Sequence, residues 1–166
     1  VSDRLFRLTA DLARDEALPI AVHAAEAAAE RAIVTEGTGP FADGLRARGI
    51  ETPPRGRSTI ELLDRLGVLD TQPLLIHCVD VDDDDRRRIA ESGATVAHCP
   101  AANARLGHGT APLVELLDAG VTVGLGTDSV ASNNRLDLLE EARLAQLFQR
   151  ARLTGPSLLP SAELLR

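Results

Sequence analysis

A histidine and a glutamate stand three residues apart in Ile20-Ala21-Val22-His23-Ala24-Ala25-Glu26, directly after an apolar run. On a helix such a pair shares a face, whereas on a strand its members point to opposite faces. The two side chains therefore reach one cavity where a strand ends and the chain turns. The pattern recurs: His77 follows Pro73-Leu74-Leu75-Ile76, His98 follows Ala94-Thr95-Val96-Ala97, and Asp128 ends Gly120–Asp128. Each is a metal-ligand or acid–base residue at or just past the C-terminal end of an apolar run. Imidazole and carboxylate are the donors that hold a catalytic divalent cation, and a free carboxylate beside them can move protons.

Each residue also has an ordinary structural role open to it. A histidine in an apolar run is commonly a core residue with its hydrogen bonds met locally. Asp128 would equally serve as a helix N-cap, and His98 and Asn103 as turn residues bonding backbone. The acidic run Asp80–Asp85 lacks the spaced glycine and closing glutamate of a calcium loop and is expected to be a solvated helix start. Nucleophile and nucleotide motifs are missing: the chain has no G-x-S-x-G elbow, no P-loop and no G-x-G-x-x-G.

The apolar runs Pro19–Ala24, Pro73–Val79, Ala94–Pro100 and Gly120–Asp128 lack period-2 alternation and predict strands buried on both faces. Helical patterns lie between and after them. Thr59–Leu66 is apolar at i, i+3 and i+4. Asp83–Ser92 has acids in its first turn and Gly93 as a stop. Ala111–Ala119 has Pro112 near its start and Gly120 after its end, and Leu136–Arg152 is long and amphipathic. Strand followed by helix, repeated, implies right-handed crossovers and a parallel α/β sheet whose ligands bind at the strands' C-terminal ends. The Gly- and Pro-rich stretch Glu36–Ser58 is long for a connection at that rim and is expected to cover a site.

The 166 residues suffice for one buried core. A net charge of -7 argues against nucleic acid as a partner, and no apolar run approaches the roughly 20 residues of a membrane span. Cys78 and Cys99, each directly after a histidine in an apolar run, are expected to be reduced and buried, which fits a cytoplasmic setting. All 18 basic residues are arginine, there is no methionine, and the chain opens on Val1, so a segment of a longer protein is expected.

Together these stretches resemble a family. HAAE, IHCV, AHCPAANARLGHGTAP and GLGTDSVASNNRLDLLEEARLA, in that order and spacing, resemble the amidohydrolase superfamily, in its cytosine-deaminase-like and chlorohydrolase-like branch. That branch includes deaminases of S-adenosylhomocysteine, methylthioadenosine and aminodeoxyfutalosine. The resemblance runs from about Leu18 to the end. It implies a metal-dependent (β/α)8 TIM barrel, of which residues 1–166 would form the C-terminal half, strands five to eight. The N-terminal half, with its H-x-H ligand pair, and a small β-sandwich would be absent.

By that resemblance His23, His77 and Asp128 bind the metal, which is zinc, with ferrous iron as the alternative. Glu26, His77 and Asp128 are catalytic: Glu26 transfers protons, His77 polarises the attacked centre or the metal-bound water, and Asp128 takes the first proton. The reaction implied is hydrolytic deamination of an aminated purine nucleoside derivative or related heterocycle, with hydrolytic dechlorination as the alternative. Phe41, Arg55, His98 and Asn103 are candidate substrate contacts, Phe41 as a pocket wall and Arg55 or Arg57 meeting a carboxylate. The partner is a small heterocycle, and the full-length protein would be a homodimer. Relatives that read HCVH differ here, because Asp80 takes the second histidine's place. The segment would carry only part of a metal site and be inactive alone. A metal-free four-strand binding module is the rival of another class, weakened by the raw edges it would leave.

Overall fold

The computed structural model describes residues 1–154 and 159–160. Its elements, in chain order, are α1 (Asp3–Asp15), β1 (Ala21–Ala24), α2 (Ala28–Thr35), α3 (Pro40–Arg46), α4 (Thr59–Arg65), β2 (Leu74–His77), α5 (Asp83–Ser92), β3 (Thr95–His98), α6 (Pro100–Arg105), α7 (Leu113–Asp118), β4 (Thr122–Leu125), α8 (Val130–Asn133) and α9 (Leu138–Leu153). The strands form one parallel sheet in the order β1-β2-β3-β4. Sequential order with crossovers of one hand stacks the helices on one face, as in a barrel wall. A doubly wound sheet needs an order reversal, and none occurs among these strands.

Burial follows from that arrangement. Ala24, Leu75 and Val96 point into a core with Ile60, Leu62, Leu63, Ile89 and Leu116 from the helices. The alternate residues Ala21, His23, Thr122 and Gly124 are exposed, and Leu74 is 39% exposed. The expectation of strands buried on both faces is thus corrected: one sheet face is covered within the described residues and the other is open. The apolar runs hid this because the open face carries Leu74 and Ile76 beside small and weakly polar residues.

Local signals set most helix ends. Asp82 caps α5 in a reciprocal pair with Asp85, and Gly93 ends that helix at φ 74°. The run Asp80–Asp85 is therefore a helix start, with Arg57 bridging Asp82, Asp84 and Asp85. Ser58 caps α4 and Asp137 caps α9. Two helices lie outside the helical patterns named above. α1 leaves Leu5, Leu8 and Leu12 about half exposed while burying Ala10 and Ala13. α3 interrupts the long Glu36–Ser58 connection, starting at Pro40. No helix among the described residues is long and apolar enough to cross a membrane.

Candidate active site

The strand exits carry strain. Ala25, His77, Cys78 and Asp128 all adopt left-handed backbone, at φ 51°, 79°, 46° and 56°. Non-glycine residues rarely do so, and such positions collect at functional sites. In strict alternation His77, paired with Ala24, would face away from His23. Its positive φ breaks the pleat at the last residue of β2, and its ring centroid lies 5.2 Å from that of His23. Asp128, just beyond β4, completes the group: one ligand atom from each of His23, His77 and Asp128 lies within 4.8 Å of the others.

Electrostatics favour a cation there. The Asp128 carboxyl is held below its ordinary range. Burial opposes ionisation, but the Ser132 hydroxyl donating at 2.5 Å, the Ser129 backbone N–H, and the nearby His77 and His23 outweigh it. His77 is fully buried. Its Nδ1 lies 2.8 Å from the Asn103 amide oxygen, which can only accept, so Nδ1 carries the hydrogen. Nε2 then turns a lone pair toward the cluster, and it is a buried atom with no hydrogen-bond partner. An orphaned imidazole nitrogen beside an ionised carboxylate and a second imidazole fits a zinc-type cation.

Glu26 sits at the edge of this group, its Oε1 3.6 Å from His77 Nε2 and 3.2 Å from His108 Nδ1. Glu30 positions it: the Glu30 carboxylate accepts the backbone N–H groups of Ala25 and Glu26 at 2.9 and 2.8 Å. His23 and Glu26 thus serve one cavity because β1 ends between them. His108, on the connection after α6, escaped the sequence reading although it lies in the quoted LGHG stretch. Nothing local aims it at a residue 82 positions earlier.

Other candidates sit differently. Asn103 is buried and spends its amide oxygen on His77, so it supports the site, while its Nδ2 has no hydrogen-bond partner among the described residues. His98 is 1% exposed with neither ring nitrogen hydrogen-bonded. Desolvation, aided by His77, lowers its pKa to about 4. It is a neutral core ring, neither a backbone-bonding turn residue nor an exposed substrate contact. Phe41 and Arg55 line a cavity of about 600 Å³ beside His23 and Ile33. The Arg55 guanidinium already bonds Asp3 from α1, and Arg57 meets the chain's own carboxylates. Asp80 turns away to Arg31, Nε to Oδ2 at 2.7 Å, a bond that raises the arginine pKa. Both cysteines are free and buried. Desolvation, then Asp128 and Glu141, pushes the Cys99 thiol up to about 12, and burial raises Cys78 further, so neither is a nucleophile.

The profile of the amidohydrolase family matches residues 1–166. The chain belongs to the amidohydrolase family. It is 42% identical over 111 residues to a 5-methylthioadenosine/S-adenosylhomocysteine deaminase of Pyrococcus abyssi, covering 67% of this chain and 26% of that protein. A deaminase of the same name from Nitratidesulfovibrio vulgaris is 36% identical over 155 residues, 93% of this chain and 31% of the relative. Among solved structures, a zinc-bound adenosine deaminase from Xanthomonas campestris superposes with a TM-score of 0.80 at 30% identity, over 100% of this chain and 34% of that one. A zinc complex of an atrazine chlorohydrolase from Arthrobacter aurescens gives 0.76 at 29% identity. It covers 99% of this chain and 33% of its own length. The chain thus spans roughly a quarter to a third of the relatives it matches. It has the α/β architecture of that family.

Proposed function

We propose that this chain supplies strands five to eight of a zinc-dependent amidohydrolase barrel, and that the complete enzyme hydrolytically deaminates an adenosine derivative. The observation that carries this reading is the convergence of His23, the orphaned Nε2 of His77 and the ionised Asp128 beside the carboxylate of Glu26. His23, His77 and Asp128 would hold the cation. Once bound, it supplies a water acidified from a pKa of about 16 toward roughly 7.

The chain's own residues do the rest. Asp128, kept ionised by Ser132 and the Ser129 N–H, accepts a proton from the attacking water. Glu26 receives that proton from Asp128 and delivers it to the heterocycle's ring nitrogen. It then takes the hydroxyl proton of the tetrahedral adduct and delivers it to the departing amine as the C–N bond breaks, so that ammonia leaves neutral and both carboxylates are restored. Asn103 fixes the His77 ring so that Nε2 faces the reacting centre. The cavity between His23 and Phe41, walled by α2 and α3, accommodates the part of the substrate that does not react.

The names of the relatives favour a methylthioadenosine- or S-adenosylhomocysteine-like substrate over the triazine of the chlorohydrolase neighbour. An ammonia-release screen of the complete enzyme tests this, run over methylthioadenosine, S-adenosylhomocysteine, adenosine, cytosine and a chloro-triazine. His23→Ala, Asp128→Ala and Glu26→Gln should each lower turnover at least about 100-fold with the circular dichroism spectrum unchanged. Near-normal ammonia release from any of the three would overturn the assignment.

A further inference from the structure

Glu141 is a carboxylate buried to 1% exposure on α9, a helix that contributes nothing directly to the cluster. Its two oxygens are both used. Oε2 accepts the backbone N–H of Ala101 at 3.0 Å, and Oε1 accepts from Asn133 Nδ2 at 2.6 Å. Asn133 Nδ2 also donates to the backbone carbonyl of Thr127 at 2.6 Å, so both amide hydrogens are committed.

These bonds lead to two different strand exits. Ala101 lies in the first turn of α6, whose own N-cap, Cys99, has no side-chain capping bond. Glu141 serves as the missing cap from 40 residues away, and a negative charge suits that helix end. The same short helix carries Asn103, which holds His77. Thr127, at the other end of the network, immediately precedes Asp128.

We infer that Glu141 is a positioning residue, a single buried carboxylate that sets the spacing between His77 and Asp128 by tying the loops after β3 and β4 together. The inference rests on the function proposed above and goes beyond it, since Glu141 touches neither substrate nor cation. Glu141→Gln keeps the shape but turns an amide N–H₂ toward either the Ala101 N–H or the Asn133 amide, donor against donor. Partners that orient metal ligands typically change metal affinity or activity by about 10- to 100-fold.

The test is zinc affinity of the complete enzyme by chelator competition, with kcat, KM and Tm, for wild type, Glu141→Gln, Asn133→Ala, His23→Ala and the core control Ile89→Val. Asn133→Ala breaks the tie to Thr127 while leaving the carboxylate in place, and it stands in if Glu141→Gln does not fold. The expected result is zinc affinity and kcat each down about 10- to 100-fold in both network variants. KM should stay within about twofold, since no substrate contact is lost, and Ile89→Val should lower Tm alone. Network variants that lose Tm as Ile89→Val does while keeping wild-type zinc affinity would overturn the role of Glu141. Zinc affinity unchanged in His23→Ala would instead overturn the metal site itself.

Discussion

Of the histidines, His98 offers the sharpest test of the structure, because its environment sets a sign and a size. The ring is 1% exposed, neither nitrogen has a partner, and its pKa falls from 6.5 to about 4. A folded pKa below the unfolded one means the unfolded chain binds more protons between those values. Stability is therefore greatest above about pH 6.5 and is lost as pH falls toward 4. At about 1.4 kcal/mol per unit, the cost between about pH 7 and about pH 4.5 is roughly 2–3 kcal/mol from this one ring. His98→Leu removes the titrating group and two buried polar atoms at similar volume, so at neutral pH the variant should be within about 1 kcal/mol of wild type, or more stable. Urea unfolding at the two pH values gives the comparison. It is followed by far-ultraviolet circular dichroism, because the chain has neither Trp nor Tyr. Wild type should lose roughly 2 kcal/mol more than His98→Leu on acidification. Equal losses would show that the imidazole is solvated or hydrogen-bonded in the folded protein, and the placement of His98 would be wrong.

Two further outcomes follow from single contacts. His108→Leu leaves Glu26 with His77 as its remaining imidazole neighbour, and losing a part-exposed charge contact worth about 0.5–1 kcal/mol should lower kcat about two- to fivefold. Steady-state ammonia release checks this, and an unchanged kcat would make the 3.2 Å contact incidental. Gly37 sits at φ 68°, where an added Cβ would lie 1.9 Å from the Thr52 carbonyl oxygen. Gly37→Ala should cost at least about 1 kcal/mol, read as a lower Tm, and should raise KM by loosening the connection that carries α3 and Phe41.

Much of the scaffold was legible along the chain because its signals are local. The apolar runs, the acids opening α5, Gly93 at its end and the serine and aspartate caps all act within a few residues. Together they dictate a parallel sheet with polar residues at one rim. Legible for the same reason was the His23–Glu26 pair, since β1 stops between its members. The connection after β1 was harder to read: Pro40 starts α3 inside a stretch whose glycines and prolines suggest a loop.

Tertiary structure decided which rim residues meet. His77 and His98 occupy matching places, each the last residue of a strand and each followed by cysteine, so sequence cannot separate them. His77 enters left-handed backbone and swings its ring toward His23, while His98 keeps ordinary backbone and stays in the core. Arg55, a free cation in the sequence, finds Asp3 across 52 positions. His108 reaches Glu26, and Glu141 reaches the first turn of α6, across comparable spans. Chain chemistry names the groups that can bind, titrate or pair. Contacts this distant depend on how strands and helices pack, so only the folded sheet selects which groups share a site.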